Sequence, residues 1–131
     1  MERGDEEEDG YMIFCSKNED GVPAWKLVLD GTKTVTRRVK PMEVGKEFAV
    51  CPGRGKKAVC RVRVVSCMSN YDWIKRIPAI QSDKEFRDEA HCEGFGAWET
   101  LWDWLGAHYD IEETILYRIE FEKIPGSEVR Q

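Results

Sequence analysis

Long hydrophobic runs are missing from this sequence, and no stretch approaches the ~20 consecutive apolar residues that a membrane-crossing helix needs. Histidine is scarce, with two residues in 131. The five cysteines (Cys15, Cys51, Cys60, Cys67 and Cys92) include no Cys-x-x-Cys pair. An odd thiol count without an export signal argues against a disulfide framework, so free, buried thiols packing as small apolar side chains are expected. Cys92 beside His91 lacks zinc-ligand spacing, and neither a metal nor a cofactor is expected. The N-terminus is acidic, the wrong sign for a secretory or mitochondrial leader, which leads to the expectation of a soluble cytoplasmic protein without a membrane partner.

What is present suffices for one folded unit. A chain of 131 residues with 41% apolar content and five tryptophans can build a sizeable core. The net charge of −5 is unevenly spread. Residues 1–10 hold six acids and one arginine, whereas residues 33–63 hold ten Lys or Arg against Glu43 and Glu47. The first stretch reads as a disordered acidic arm. The second can form a local basic face, with Arg54, Lys56, Lys57, Arg61 and Arg63 as candidate nucleic-acid contacts.

Between these features the chain reads as short elements. Tyr11–Cys15 suits a buried strand, and Pro23 opens a helix whose stripe of Ala24, Leu27 and Val28 ends at Gly31. Thr34–Val39, Phe48–Cys51, Ala58–Met68 and Ile115–Glu122 read as strands. Ser69-Asn70-Tyr71-Asp72 and Ser82-Asp83-Lys84-Glu85 have capping-box spacing; they predict helices stopped by Pro78 and closed by Gly94. On the second of these, Phe86, Ala90 and Glu93 share one face, a carboxylate on an apolar stripe. Trp98, Leu101, Trp102, Leu105 and Tyr109 form the stripe of a helix over 97–109. Trp104 sits at its flank and marks a candidate docking surface for a protein partner. Residues 125–131 read as a loose tail, so a single domain is expected over 11–124. Strands this short and closely spaced exclude a series of βαβ units and point to an α+β fold, a small mixed or antiparallel barrel with peripheral helices.

Several chemical signatures fail on spacing. Pro52-Gly53-Arg54-Gly55-Lys56-Lys57 lacks the pattern and following helix of a phosphate loop and reads as a basic hairpin turn. His91-Cys92-Glu93 satisfies half of the zinc deaminase signature, but no cysteine follows Cys92 to supply the rest. Neither His91 nor His108 has a nucleophile partner in motif context. The densest remaining feature is Gly31-Thr32-Lys33-Thr34-Val35-Thr36-Arg37-Arg38, with three hydroxyls, three cations and no carboxylate. A threonine needs a base to act as a nucleophile, and a desolvated lysine can be that base. Strand alternation sets Thr34, Thr36 and Arg38 on one face and Val35, Arg37 and Val39 on the other.

The same run resembles the G-x-K-x-x-T-x-R signature of ASCH domains, small β-barrels of PUA-like fold. Ala90-His91-Cys92-Glu93-Gly94-Phe95 resembles the family's second motif, and Tyr117-Arg118-Ile119-Glu120-Phe121 its closing strand. The resemblance implies a mixed barrel of about five or six strands with three or four peripheral helices. It also implies recognition of RNA or a modified nucleoside in a cleft between barrel and helices. One small bacterial branch consists of amidohydrolases that deacetylate N4-acetylcytidine with a Lys, a Thr and a Glu, which by motif position are Lys33, Thr36 and Glu93. Thr34, Arg37 and Arg38 are then substrate-binding candidates, with Arg38 on the face of Thr36. The chain departs from that branch in its tryptophan-rich helix at 97–109 and in carrying Arg37 where the branch has an apolar residue.

Overall fold

The structure, a computed structural model, describes residues 10–77 and 82–128. The acidic arm lies outside the described residues except for Gly10, as do Pro78 and the last three residues of the tail. Among the described residues nine elements follow one another: β1 (Tyr11–Ile13), α1 (Ala24–Leu29), β2 (Val35–Arg38), β3 (Glu47–Cys51), β4 (Cys60–Ser69), α2 (Asn70–Lys75), α3 (Ser82–Cys92), α4 (Trp98–His108) and β5 (Tyr117–Lys123). The strands form one sheet in the order β1-β3-β4-β5-β2, in which β1 runs parallel to β3 and every other pair is antiparallel. The expected α+β fold, a small mixed barrel with peripheral helices, is observed, with its five strands forming a half-barrel.

The elements start and stop for local reasons. Pro23 stands at the N-cap of α1, one position earlier than the pattern suggested. Ser69 caps α2 by accepting from the Asp72 amide at 3.1 Å, half of the capping box. In β4 the buried residues Cys60, Val62 and Val64 alternate with Arg61 and Arg63, until a register shift between Val64 and Ser66 leaves Val65 as an exposed extra residue. This bulge ends the simple alternation and bends the longest strand, helping the sheet to curl.

Two apolar clusters result. One lies inside the sheet under α1, with Met12, Phe14, Val28, Phe48, Val62 and Ile119 among its members. The other joins α3 and α4 through Ala90, Phe95, Leu101, Leu105 and Leu116. All five cysteines are free, but only Cys51 and Cys60 are buried; Cys15 is exposed, and Cys67 and Cys92 are half-buried. The thiols thus differ from the uniform burial expected, because Cys15 falls just past the end of β1. Burial pushes the Cys60 thiol up to about 11.

The outer strands β1 and β2 pair on one side only, yet they come together across the open side of the half-barrel. Arg38 bridges them, donating through Nη2 to the Ile13 carbonyl at 2.9 Å, with its guanidinium 4.9 Å from the Phe14 ring centroid. A cavity lined by residues of both strands opens at this seam.

Candidate active site

The site begins with two chain reversals. Helix α1 ends at Leu29, the positive φ of 88° at Gly31 lets the chain turn back, and the Lys33 amide donates to Leu27 O at 2.9 Å. Helix α3 ends in a Schellman turn: Gly94 has φ 96°, its amide donates to His91 O, and the Phe95 amide donates to Ala90 O at 2.8 Å. Glu93 is the cap residue of that turn. A carboxylate at a helix C-terminus meets the negative end of the helix dipole and needs cations nearby.

Those cations come from the run after α1. The Thr34 amide donates to Cys92 O at 2.8 Å, and its carbonyl accepts from the Phe121 amide at 2.9 Å. Thr34 therefore acts through its backbone, tying the run to α3 and β5, and its side chain is not on the cavity wall. The tie brings Lys33 against Glu93. Lys33 Nζ donates to Glu93 Oε1 at 2.8 Å, to Glu93 O at 2.9 Å and to Val35 O at 2.8 Å, which uses all three ammonium hydrogens. Both side chains are buried.

Arg37 holds the other side of the same carboxylate. Its Nη1 lies 2.9 Å from Glu93 Oε2 and 2.8 Å from Glu89 Oε2, and its Nε donates to Asn70 Oδ1 at 2.8 Å. Arg118, directly opposite Arg37 in the β2–β5 register, would repel it; Glu89 sits between them and takes Arg118 as a fork at 2.5 and 3.1 Å. Arg37 Nη2 is buried without a hydrogen-bond acceptor. The guanidinium carbon lies 4.8 and 5.7 Å from the ring centroids of Trp73 and Trp98, a cation–π contact with both indoles. With its side chain fully buried and its bonds spent on the protein, Arg37 anchors the site, while Arg38 lies at the seam.

The charges settle in a definite order. Burial pushes Lys33 down from its ordinary value; the attraction of Glu93 opposes this only in part, and Arg38 and Arg37 push the same way as burial. Burial alone would raise Glu93, but the charges and hydrogen bonds of Lys33 and Arg37 outweigh it and hold the carboxyl below its ordinary value. Glu93 is accordingly held as an anion, and the Lys33 ammonium gives up its proton more easily than an exposed lysine does.

The cavity beside this pair measures about 370 Å³, within the size range of small-molecule sites. Its wall takes in Ile13–Asn18 after β1, Ala24 and Leu27 from α1, Thr36, Arg37 and Arg38 from β2, Lys33, Glu93 and Phe95, and the end of α4. Lys33, Thr36, Glu93, Arg37 and Arg38 thus meet around one space. None of Arg54, Lys56, Lys57, Arg61 or Arg63 lines it. Arg63 bridges Glu47 at 3.0 Å and Glu122 at 3.1 Å, and Arg61 lies 3.9 Å from Glu47, so the outer face of β4 is a ladder of mixed charge. Among the described residues no group of His, Cys, Asp or Glu is arranged to hold a metal ion, and no helix is long and apolar enough to cross a membrane.

Sequence reasoning missed part of the wall. Trp98 and Trp102 pack in an aromatic layer with Trp73 and Phe86, whereas Trp104, His108 and Tyr109 face the cavity. Trp104 stacks on His108 at 4.1 Å and 26°. His108 Nδ1 lies 2.9 Å from Trp104 O; a carbonyl only accepts, so Nδ1 carries the hydrogen. Asn18 and Glu19 hold the turn after α3, donating to Gly94 O at 2.9 Å and accepting from the Gly96 amide at 2.7 Å. Glu89 had a signal, since it stands one helical turn before Glu93.

No protein-family model and no curated protein sequence matches the chain. Solved structures do. A protein from Enterococcus faecalis assigned to the family model DUF984 aligns with a TM-score of 0.57 at 14% identity, covering 93% of this chain and 83% of that one. An ASCH domain from Lactobacillus crispatus aligns with a TM-score of 0.54 at 19% identity, covering 87% of this chain and 79% of that one. Together with the five-stranded half-barrel and its four helices, these matches give the chain the fold of the ASCH domain, of PUA-like architecture.

Proposed function

We propose that the cavity takes a modified pyrimidine nucleoside and hydrolyses an acyl group from its exocyclic amine, as the resemblance to the N4-acetylcytidine amidohydrolases suggests. The observation that carries this reading is the buried Lys33–Glu93 contact at 2.8 Å on a wall shared with Thr36. Lys33 in its neutral form takes the Thr36 hydroxyl proton as Thr36 Oγ1 attacks the acyl carbonyl carbon. The C–N bond then breaks, and the proton passes from Lys33 to the leaving amine. Water hydrolyses the acyl-Thr36 ester, releasing the carboxylic acid and restoring the hydroxyl. Glu93 orients Lys33 throughout, Arg37 fixes Glu93, and Arg38 binds the oxygen-rich edge of the substrate.

Neutral Lys33 is favoured by the downward pressure of burial on its proton affinity. The three acceptors around the ammonium oppose it, because one of those bonds must open before the lone pair is usable. This second fact favours a non-catalytic reading, in which the same cavity binds a nucleoside or an unpaired base of RNA and Lys33 is purely structural.

Incubation with N4-acetylcytidine, following cytidine release, separates the two. The enzyme reading expects turnover that is lost in Lys33→Ala and Thr36→Ala and reduced in Glu93→Gln, with each variant still folded. Ligand binding without turnover in the wild type replaces it with the binding reading.

A further inference from the structure

The cavity beside Lys33 and Glu93 has a buried end and an exposed one. Lys33, Thr36 and Glu93 are 6%, 7% and 5% exposed, whereas Cys15, Lys17 and His108 on the same wall are open to solvent. In a cytidine acylated on N4, the acyl group and the sugar leave the pyrimidine ring from opposite edges. Setting the acyl carbonyl against Thr36 at the buried end therefore turns the sugar towards the exposed end.

His108 is held at that end in one tautomer and one plane. Its Nδ1–H donates to Trp104 O at 2.9 Å, and its ring stacks on Trp104 at 4.1 Å and 26°. In the neutral ring Nε2 then carries the lone pair and can only accept. Among the described residues nothing donates to it.

The other side chains of the wall do not offer the same function. Both Glu93 oxygens are bonded, to Lys33 and to Arg37. Asn18 Oδ1 accepts from the Asp20 and Val22 amides at 2.9 and 3.0 Å. Lysine and tryptophan only donate, and the hydroxyls of Ser16, Thr36 and Tyr109 can do either. His108 Nε2 is thus the one side-chain nitrogen or oxygen on the wall, among the described residues, that is restricted to accepting and not already bonded. A ligand that satisfies it must bring a donor, and at the exposed end a sugar brings hydroxyls.

We propose that His108 selects the sugar of the ligand, its Nε2 accepting a hydrogen bond from a ribose hydroxyl. The cavity then prefers the whole nucleoside to the base alone. The proposal rests on the reading of the cavity as a site for an N4-acylated cytidine and adds a specificity-determining residue to it.

The test is calorimetric titration with cytidine, its 2′-, 3′- and 5′-deoxy forms and 1-methylcytosine, all of which lack an acyl group and are not consumed. Cytidine should bind about fivefold more tightly than at least one deoxy form, the scale of one neutral hydrogen bond. The form that loses affinity identifies the hydroxyl, and a loss at the 2′ position makes the site selective for ribonucleosides. His108→Phe keeps a ring to stack on Trp104 but removes the acceptor. It should bind cytidine and that deoxy form equally, and 1-methylcytosine as the wild type does. Equal wild-type affinity for cytidine and all three deoxy forms overturns the sugar contact and leaves the nucleoside reading standing. So does a preference that survives in His108→Phe, or a variant that weakens 1-methylcytosine as much as cytidine, because His108 then only supports Trp104. No binding by any of the five ligands overturns both readings.

Discussion

Lys33 and Glu93, sixty positions apart in sequence, meet at 2.8 Å with both side chains buried, and Arg37 closes the other side of the carboxylate at 2.9 Å. The pair is part of a buried set in which Lys33 and Arg37 balance Glu89 and Glu93. Desolvating charges is costly, and such a set survives only while every member has a partner.

Removing the two members of the pair should therefore differ in cost. Glu93→Ala leaves the buried Lys33 without its carboxylate and Arg37 with only Glu89, which Arg118 also holds, and should destabilise the fold by about 3–5 kcal/mol, the scale for breaking a buried pair. Lys33→Ala leaves Glu93 with Arg37 and should cost less. Urea unfolding of the two variants measures the difference; equal costs would show that Arg37 does not hold the carboxylate in the native state.

Acid should act through the same carboxylate. Glu93 has a folded pKa below its ordinary value, so its stabilisation is complete above the unfolded-chain value of ~4.3 and is lost as pH falls through the folded one. Lys33 is also pushed down, but for a base the sign reverses. It contributes a cost that is complete below its folded pKa and relieved as pH rises towards the ordinary 10.5. Wild-type stability should drop below about pH 4 more steeply than that of Glu93→Gln, and it should gain relative to Lys33→Met on the alkaline side. Thermal melts across pH report both limbs.

The uneven legibility of the site has a physical cause. Lys33, Thr36 and Glu93 stood out because a hydroxyl- and cation-rich run and a carboxylate on an apolar stripe conflict with their surroundings. Alternation separated Arg38 from Arg37, and the structure keeps them apart: one bridges the sheet edges, the other is sealed among Glu89, Glu93 and Trp73. Trp104 stood out at the flank of its helix, where stacking on a base was open to it, but Tyr109 was illegible for the opposite reason. Helical periodicity tells which face of α4 is covered, but it cannot distinguish a covering core from a cavity wall. Asn18 and Glu19 looked like ordinary turn residues, because their partners Gly94 and Gly96 are more than seventy positions away. Similarly, nothing in a three-residue strand foretells that β1 pairs parallel with β3 and so comes to face Arg38 across the seam.

The position of Trp104 carries a prediction of its own. Stacked on His108 and facing the cavity, it should contribute to ligand binding through its ring. Trp104→Ala should weaken nucleoside binding by about 1–3 kcal/mol, the range for one base–aromatic stack, and Trp104→Phe should recover most of it. Sedimentation of the Ala variant should match the wild type. A change in oligomeric state with unaltered affinity would instead assign α4 to a protein partner.

Gly94 offers the sharpest test of how the site is held. Its φ of 96° lies in the left-handed region, and a Cβ built there would come within 2.8 Å of Leu27 Cδ1. An alanine must therefore bear backbone strain and also push aside a side chain that lines the cavity. Because Glu93 immediately precedes the turn, the shift is transmitted to the carboxylate that holds Lys33. Gly94→Ala should destabilise the protein by more than about 1 kcal/mol, as expected where the native φ is unsuited to the new residue. Turnover or ligand affinity should fall further than the thermal melt alone would predict at a temperature where the variant is fully folded. Leu27→Ala in the same background supplies the control. By making room for the new methyl group it should restore the geometry at Glu93 in part, leaving only the backbone strain. If the double variant binds no better than Gly94→Ala alone, the close packing of Leu27 on the turn is not what positions Glu93.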